Sequence, residues 1–518
     1  MNTECLDEPV KDYIHSLEKQ VAFLTEQISL MRYKRFGTSS EALSHEMSLP
    51  FFENENAPAV PIDASGTITI PAHERKKPGR KPLDPRLPRV MTIIDIPESE
   101  KLCGCGAHLV KIGEERCEKL HHVIEKYFVE VFVRPYWACK NCEGSGDEGK
   151  SPVRVAPMPP MIIPKGMATP DLIASIAVNK FCDHLPFYRQ EQRLSRHGIC
   201  ISRTDMANWT IQAAQAVERV FDLLQARVKR SDIINMDETS MTVMGEDGKA
   251  NAAKSYMWLM RGGPPDAPVI TYHYRPSHGA QEARELLEGF HGILQTDGLE
   301  VYPAAIAGTD IRHVGCWAHA RRYFFDASKA NPQSQTARDG LAWIGKLYSI
   351  ERALRKKLDD GAMRRDAFKA EREKLVRPVL DDFKKWLLIE AEKVLPSSLT
   401  GKAVSYTLGQ WEKLGHYIIH PNISPDNNAA ENAIRPFVLG RKNWLICGSP
   451  EGARCSCILY SLIETAKANG LNVYTYLTTL FHFAPRAKSD KDWERLLPFK
   501  KAFDLKKDYS FTLPPDLI

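Results

Sequence analysis

Residues 231–325 constrain the fold of this chain more than any other segment. Five apolar, strand-like runs occur there: SDIINMDETSMTV, SYMWLMRG, APVITYHYR, GILQTDG and IRHVGCWAH. Gly, Pro and Asp turn residues separate them. One helical stretch, AQEARELLEGF, falls between the third and the fourth. This order predicts a mixed sheet with helices laid on it.

Helical patterns surround this segment. Before it, TPDLIASIAVNKF has Thr169 as N-cap and Pro170 at the first helical position. FYRQEQRLSRHGICISRTDMANWTIQ then predicts a helix, a break at Gly198 and a second helix from Ser202. This is a helix-turn-helix pattern, which any two packed helices also give. After the strands, Leu341, Ile344, Leu347, Leu354 and Leu358 keep a helical period through residues 326–415. Residues 451–486 predict two helices broken at Asn469-Gly470.

At the N-terminus, Ile14, Leu17, Val21, Leu24, Ile28 and Met31 are spaced 3, 4, 3, 4, 3, an a/d heptad seam. It predicts either a short coiled coil between subunits or a helix packed on its own chain. Residues 46–90 form a linker rich in Pro, Asn and Ala. Within it, Arg75, Lys76, Lys77, Arg80, Lys81, Arg86 and Arg89 face a single acid, Asp84. Proline keeps this strip extended, able to follow phosphates or enter a minor groove, or simply to stay solvated. The net charge of the whole chain is only +5, so charge placement carries the argument rather than its sum.

The 12 cysteines in 518 residues are too sparse for a disulfide scaffold. Cys103 and Cys105 form a CGCG pair, and Cys139 and Cys142 a CKNC pair. The strand-like alternation YFVEVFVRPYW between them can bring the pairs together as a four-thiolate zinc site; the alternative is four buried free thiols. The first pair is C-x-C, tighter than the usual C-x2-C. No run of about 18 apolar residues predicts a membrane span, and the acidic N-terminus is not a secretory signal. A reducing cytoplasm is the expected location.

Three carboxylates stand out. Asp237 follows IINM and Asp297 follows GILQT, so both are expected at strand ends, where a turn-forming Asp is also common. PDNNAAENAIRPFVLGRKNW places Glu431 on a helix capped by Asp426, Asn427 or Asn428, with Arg435 on the same face and Arg441 and Lys442 in a Gly-led turn. A solvated Glu431, or one paired with Arg435, is the simpler reading. Three carboxylates brought together repel one another unless divalent cations lie among them. Mg2+ prefers such oxygen ligands, and a pair of ions suits phosphodiester chemistry.

INMDETS, LQTDGLEVYP, GCWAHARRYF, DNNAAENAIRPFVLGRKNW and GARCSCILYSLIETAKANG together resemble the large transposase subunit of the insertion sequence 66 family. The likeness reaches back through the cysteine pairs, the basic linker and the heptads. It implies a ribonuclease-H-like catalytic core with an Asp-Asp-Glu triad, which by matching motif is Asp237, Asp297 and Glu431 holding Mg2+ or Mn2+. It also implies two small accessory proteins as partners. Cys316 and His319 are similar to a Cys-x-x-His element after the second Asp of several transposase groups. With two ligands only, a structural or DNA-positioning role is expected for them.

The expected architecture is a multidomain α+β chain. A coiled-coil helix (1–45) and a basic linker (46–92) lead to a zinc module held by Cys103, Cys105, Cys139 and Cys142 (93–150). A helical DNA-binding region follows (151–228). The ribonuclease-H-like α/β core (229–325 and 416–450) is interrupted by a helical insertion (326–415), and a C-terminal helical segment (451–518) ends the chain. Lys76, Lys77, Arg80, Lys81, Arg435, Arg441 and Lys442 are the expected DNA contacts. The expected activity is cleavage at transposon ends and joining of the 3′-OH to target DNA by a nucleoid-associated homo-oligomer. The rivals are a zinc-dependent DNA-binding protein with a dead core and a nuclease that cuts without joining. A two-carboxylate glycosidase leaves the basic strip and the thiolate pairs without a role.

Overall fold

The computed structural model describes residues 8–36, 127–138, 153–250 and 253–500. The chain divides into two units, residues 1–39 with 136–512, and residues 40–135 with 513–518. In the second unit the described residues are 127–135. They form no strand, and Val129, Val131 and Val133 are exposed. The strand predicted over YFVEVFVRPYW is thus found only at its end, where Tyr136 and Trp137 pair with Val155 and Arg154, while residues 127–135 are not in a strand. The cysteine pairs and the basic strip lie outside the described residues.

The first unit opens with the heptad helix α1 (Glu8–Phe36), uninterrupted by Gly and ended with Lys34 and Arg35 in its last turn. One short antiparallel pair follows, β1 (Tyr136–Ala138) and β2 (Val153–Val155). Four helices come next: α2 (Pro170–Phe181), α3 (Phe187–Ser195), α4 (Arg203–Ala216) and α5 (Glu218–Lys229). Gly198 breaks α3 from α4 at φ +75, and Ser202 with Asp205 closes a capping box on α4.

The strands are β3 (Ile233–Val243), β4 (Lys254–Gly262), β5 (Val269–Arg275), β6 (Ile293–Gln295), β7 (Arg312–Val314) and β8 (Ile446–Cys447). Helix α6 (Ala280–Leu287) precedes β6, and α7 (Val301–Ile306) precedes β7. The sheet order is β5-β4-β3-β6-β7. β3, β4 and β5 are antiparallel neighbours, while β6 and β7 run parallel to β3. β8 pairs with the far end of β3.

Helices α8 (Trp317–Ala330), α9 (Gln335–Asp359), α10 (Arg365–Lys393), α11 (Leu399–Gly409) and α12 (Trp411–Gly415) share a core of Trp317, Phe324, Ile344, Leu347 and Phe383. Then α13 (Asn428–Trp444), α14 (Pro450–Ala468), α15 (Val473–Phe483) and α16 (Asp490–Arg495) return to the sheet. α14 covers the outer edge of β5. The Ile270 and Tyr272 N–H groups donate to Thr465 Oγ1 and Ser461 Oγ at 3.0 and 2.8 Å. These buried hydroxyls satisfy the donors that an edge strand otherwise leaves open.

α1 lies on α8 and α11 through Phe23, Glu26, Leu30, Tyr33 and Lys34. Lys34 pairs with Asp326 at 2.8 Å, and Glu26 accepts the Leu399 N–H at 3.1 Å. Tyr33 meets Phe325 edge-on, and the Lys402 ammonium lies over the Phe23 ring. The seam residues Leu17, Val21, Leu24, Ile28 and Met31 are turned elsewhere and are 40–66% exposed. The helix thus has a face for its own chain and a separate heptad face. Among the described residues, no helix is long and apolar enough to cross a membrane.

Candidate active site

The register of β3 against β6 sets two carboxylates side by side. The last parallel pair is Asn235 with Gln295, and Asp237 and Asp297 each come two residues later. Asp237 therefore sits inside β3 rather than at its end, which corrects the sequence expectation. It is nonetheless where the β6 pairing stops, so its carboxylate has room on that side. Asp297 lies just past β6, its Oδ1 accepting the Leu299 N–H at 3.1 Å. Gly298 next to it is required, because a Cβ there would lie 2.8 Å from the Tyr406 ring.

Glu431 comes from the first turn of α13, whose N-cap is Asn427. The Asn427 side chain does not cap the helix. It is buried and bridges to β3, donating to the Met236 carbonyl at 2.8 Å and accepting from Asn235 at 3.0 Å. Asn235 also donates to Gln295 at 2.9 Å, and Gln295 to the Ser424 carbonyl at 2.8 Å. This amide network ties together β3, β6 and the start of α13, the three elements that carry the acids. Buried and mutually satisfied, it fixes their relative positions.

The electrostatics follow from this convergence. Burial pushes the Asp237 carboxyl up to about 7, with the Glu238, Glu431 and Asp297 charges adding to the rise. Burial and the Glu238 charge raise Asp297 as well. Asp426, just before α13, is raised by burial and by Glu431. Glu238 is a neighbouring acid that sequence reasoning did not single out, although the Asp-Glu doublet was visible. It pairs with His278 Nε2 at 3.1 Å and accepts from the Tyr302 hydroxyl.

Arg435 and Lys442 are exposed on α13. Arg441 is half-buried and donates to Thr239 on β3 at 3.0 Å, fastening the helix to the sheet. Arg441 and Lys442 belong to the last turn of α13 rather than to a Gly-led turn. α13 runs through Gly440, and the Trp444 ring fills the space a side chain there would take. Cys316 and His319, at the start of α8, come up against Glu431. His319 Nδ1 is 3.8 Å from Glu431 Oε1, and Cys316 Sγ accepts the Asn427 N–H at 3.2 Å.

A carboxyl held protonated by its surroundings makes stability depend on pH. The folded value of Asp237 is raised from 3.8 to about 7, so its contribution is fully present below the unfolded value and is lost as pH rises toward 7. Without added divalent cation, the melting temperature is expected to fall by several degrees between about pH 5 and about pH 8, and Asp237→Asn to flatten that fall. A melting temperature rising over this range in the wild type contradicts the burial of like charges.

The fold and site define a mixed α+β protein in which an aspartate on β3, an aspartate just past β6 and a glutamate on α13 come near one another beside a basic helix face. The chain matches the family described as "Transposase IS66 family" over residues 165–455, more than half its length, and it belongs to that family. Three further matches cover other parts. They are "Transposase C of IS166 homeodomain" over 23–91, "zinc-finger binding domain of transposase IS66" over 100–143, and "IS66 C-terminal element" over 461–499. Similar proteins come from Sinorhizobium fredii (strain NBRC 101917 / NGR234). "Uncharacterized protein y4qI" is 30% identical over 93% of this chain and 90% of its own length. "Uncharacterized protein y4jD" is 31% identical over 80% of this chain and 81% of its own length. These matches make the chain a transposase-family protein with DNA-binding and zinc-finger domains, and they support a structural zinc.

Proposed function

We propose that this protein is a metal-dependent DNA transposase whose catalytic residues are Asp237, Asp297 and Glu431. The observation that carries the reading is the meeting of these three acids, on β3, after β6 and on α13, in the family whose model covers this region. The strand order β5-β4-β3-β6-β7, with β4 antiparallel to β3 and β6 parallel to it, supports a ribonuclease-H-like core. The helices α9–α12 then stand as an insertion between the last core strand and the helix bearing Glu431.

The donor set fits a hard divalent cation. All three acids offer oxygen, burial and mutual repulsion raise Asp237 and Asp297, and Glu431 Oε1 is buried without a hydrogen-bond partner. Mg2+ or Mn2+ held by these carboxylates would supply Lewis-acid activation of the attacking oxygen and charge neutralisation at the leaving one. The chain's own residues do the rest. The amide network holds the carboxylates in register, and Arg435 and Lys442 on the α13 face bind backbone phosphates. Water attacks the phosphodiester at the element's end, leaving a 3′-OH. That oxygen then attacks a target phosphorus, forming the new ester and releasing the target 3′-oxygen.

The remaining modules serve DNA and assembly. Cys103, Cys105, Cys139 and Cys142 hold the zinc, and Lys76, Lys77, Arg80 and Lys81 contact phosphates of the terminal repeats. The α3–α4 pair assists end binding. The exposed heptad face of α1 pairs two subunits so that both ends are cut together, and small accessory proteins complete the assembly. Leu24→Glu with Ile28→Glu is expected to halve the mass seen by sedimentation equilibrium; an unchanged mass removes α1 from subunit pairing. The test of function is joining of a precut end, taken from DNA flanking the gene, to plasmid in Mg2+. Joined product with a free 3′-OH as donor is the expected result. Cutting without joining indicates a nuclease. End binding without either, even with the neighbouring accessory proteins added, indicates a core without catalysis.

A further inference from the structure

Cys316 and His319 have no part in the chemistry just described, yet they converge on one of its members. Cys316 is the N-cap of α8, and His319 follows in the first turn. The ligand atoms of Cys316, His319 and Glu431 all lie within 4.8 Å of one another. His319 Nδ1 and Glu431 Oε1 are both buried and both lack a hydrogen-bond partner. Their separation of 3.8 Å is too long for a hydrogen bond. It is close to the separation of about 3.5 Å that two ligands of one tetrahedral zinc ion adopt. The backbone already supports the sulfur, since the Asn427 N–H points at Sγ.

The donor types select the ion. Mg2+ takes oxygen and avoids thiolate, whereas thiolate with imidazole and carboxylate suits zinc. Three protein ligands leave a fourth position for water, as in exchangeable rather than closed structural sites. We propose that Cys316, His319 and Glu431 form a second, soft-metal site of the zinc class, and that filling it withdraws Glu431 from the catalytic carboxylates and switches the enzyme off. As the ion enters, the Cys316 S–H proton leaves to solvent and the sulfur–metal bond replaces it. The inhibitory half rests on the catalytic reading of Glu431; the binding half does not.

The test compares full-length wild type with Cys316→Ser, both purified with the zinc module loaded. Ser keeps an acceptor for the Asn427 N–H but is a poor zinc ligand. Equilibrium dialysis at low-micromolar free Zn2+, followed by elemental analysis, is expected to find one more zinc per chain in the wild type. Joining by wild type in Mg2+ is expected to fall at least about tenfold under that zinc and to recover on chelation, while Cys316→Ser keeps its rate. His319→Gln gives the same two readouts if the serine variant does not fold. Equal zinc content in wild type and variants overturns the site. Unequal content with joining indifferent to zinc overturns the inhibition. If wild type never joins even with the neighbouring accessory proteins added, the catalytic reading fails, and the zinc count alone still decides the site.

Discussion

Asp297→Asn is expected to lower joining at least about a thousandfold while end binding changes little. Asparagine keeps the shape of aspartate, and its Oδ1 still accepts the Leu299 N–H, so the turn after β6 survives. What is lost is the charge that, on the proposed reading, would hold the cation. A factor of about a thousand is about 4 kcal/mol of transition-state stabilisation, the scale on which a preorganised charge acts in a closed site. The same change removes one of several crowded anions, so the protein without divalent cation should melt higher than wild type. Lost activity with gained stability separates a catalytic charge from a structural one. A variant that joins DNA near the wild-type rate removes Asp297 from the chemistry.

Arg372→Met is expected to cost about 3–5 kcal/mol, the largest single loss of stability in the helical segment. Arg372 is fully buried on α10. Its guanidinium donates to Glu351 at 2.6 Å and to the carbonyls of Tyr417, His420 and Ile423 at 2.9, 3.0 and 3.1 Å. Removing it leaves the Tyr417 and His420 carbonyls without this donor and the buried Glu351 carboxylate with Arg355 as its remaining partner at 2.8 Å. Because residues 416–427 lead directly into α13, the loss also loosens Glu431. Replacing Glu351 by Leu in the same chain should recover part of the stability, since the buried carboxylate is then gone and Arg355 still donates to the Ile423 carbonyl at 2.8 Å. Thermal denaturation of the single and double variants checks both statements. A single variant within about 1 kcal/mol of wild type contradicts the clamp.

The sheet was legible because its strands are long apolar runs between turn residues. Residues 233–275 read as strands, and AQEARELLEGF as the helix before β6. Helix α7, only six residues, was not legible, since so short a segment has no period to detect. Asp237 read as a strand end because the apolar run IINM stops at it; the strand continues because β4 pairs with β3 as far as Thr242. The heptad seam was legible, but the second face of α1 was not. Phe23, Tyr33 and Lys34 find their partners on α8 and α11, far away in sequence. The acids were visible as residues, and the matching motifs singled them out. The amide network beneath them was not, because Asn235, Gln295 and Asn427 look like ordinary polar residues until the fold brings them together.

The most direct test of a cation centre built from β3, β6 and α13 is anomalous diffraction from crystals of the full chain soaked in Mn2+. The account predicts a manganese peak bounded by the carboxylates of Asp237, Asp297 and Glu431, absent in Asp297→Asn. Manganese bound elsewhere, with these three carboxylates unliganded, contradicts it.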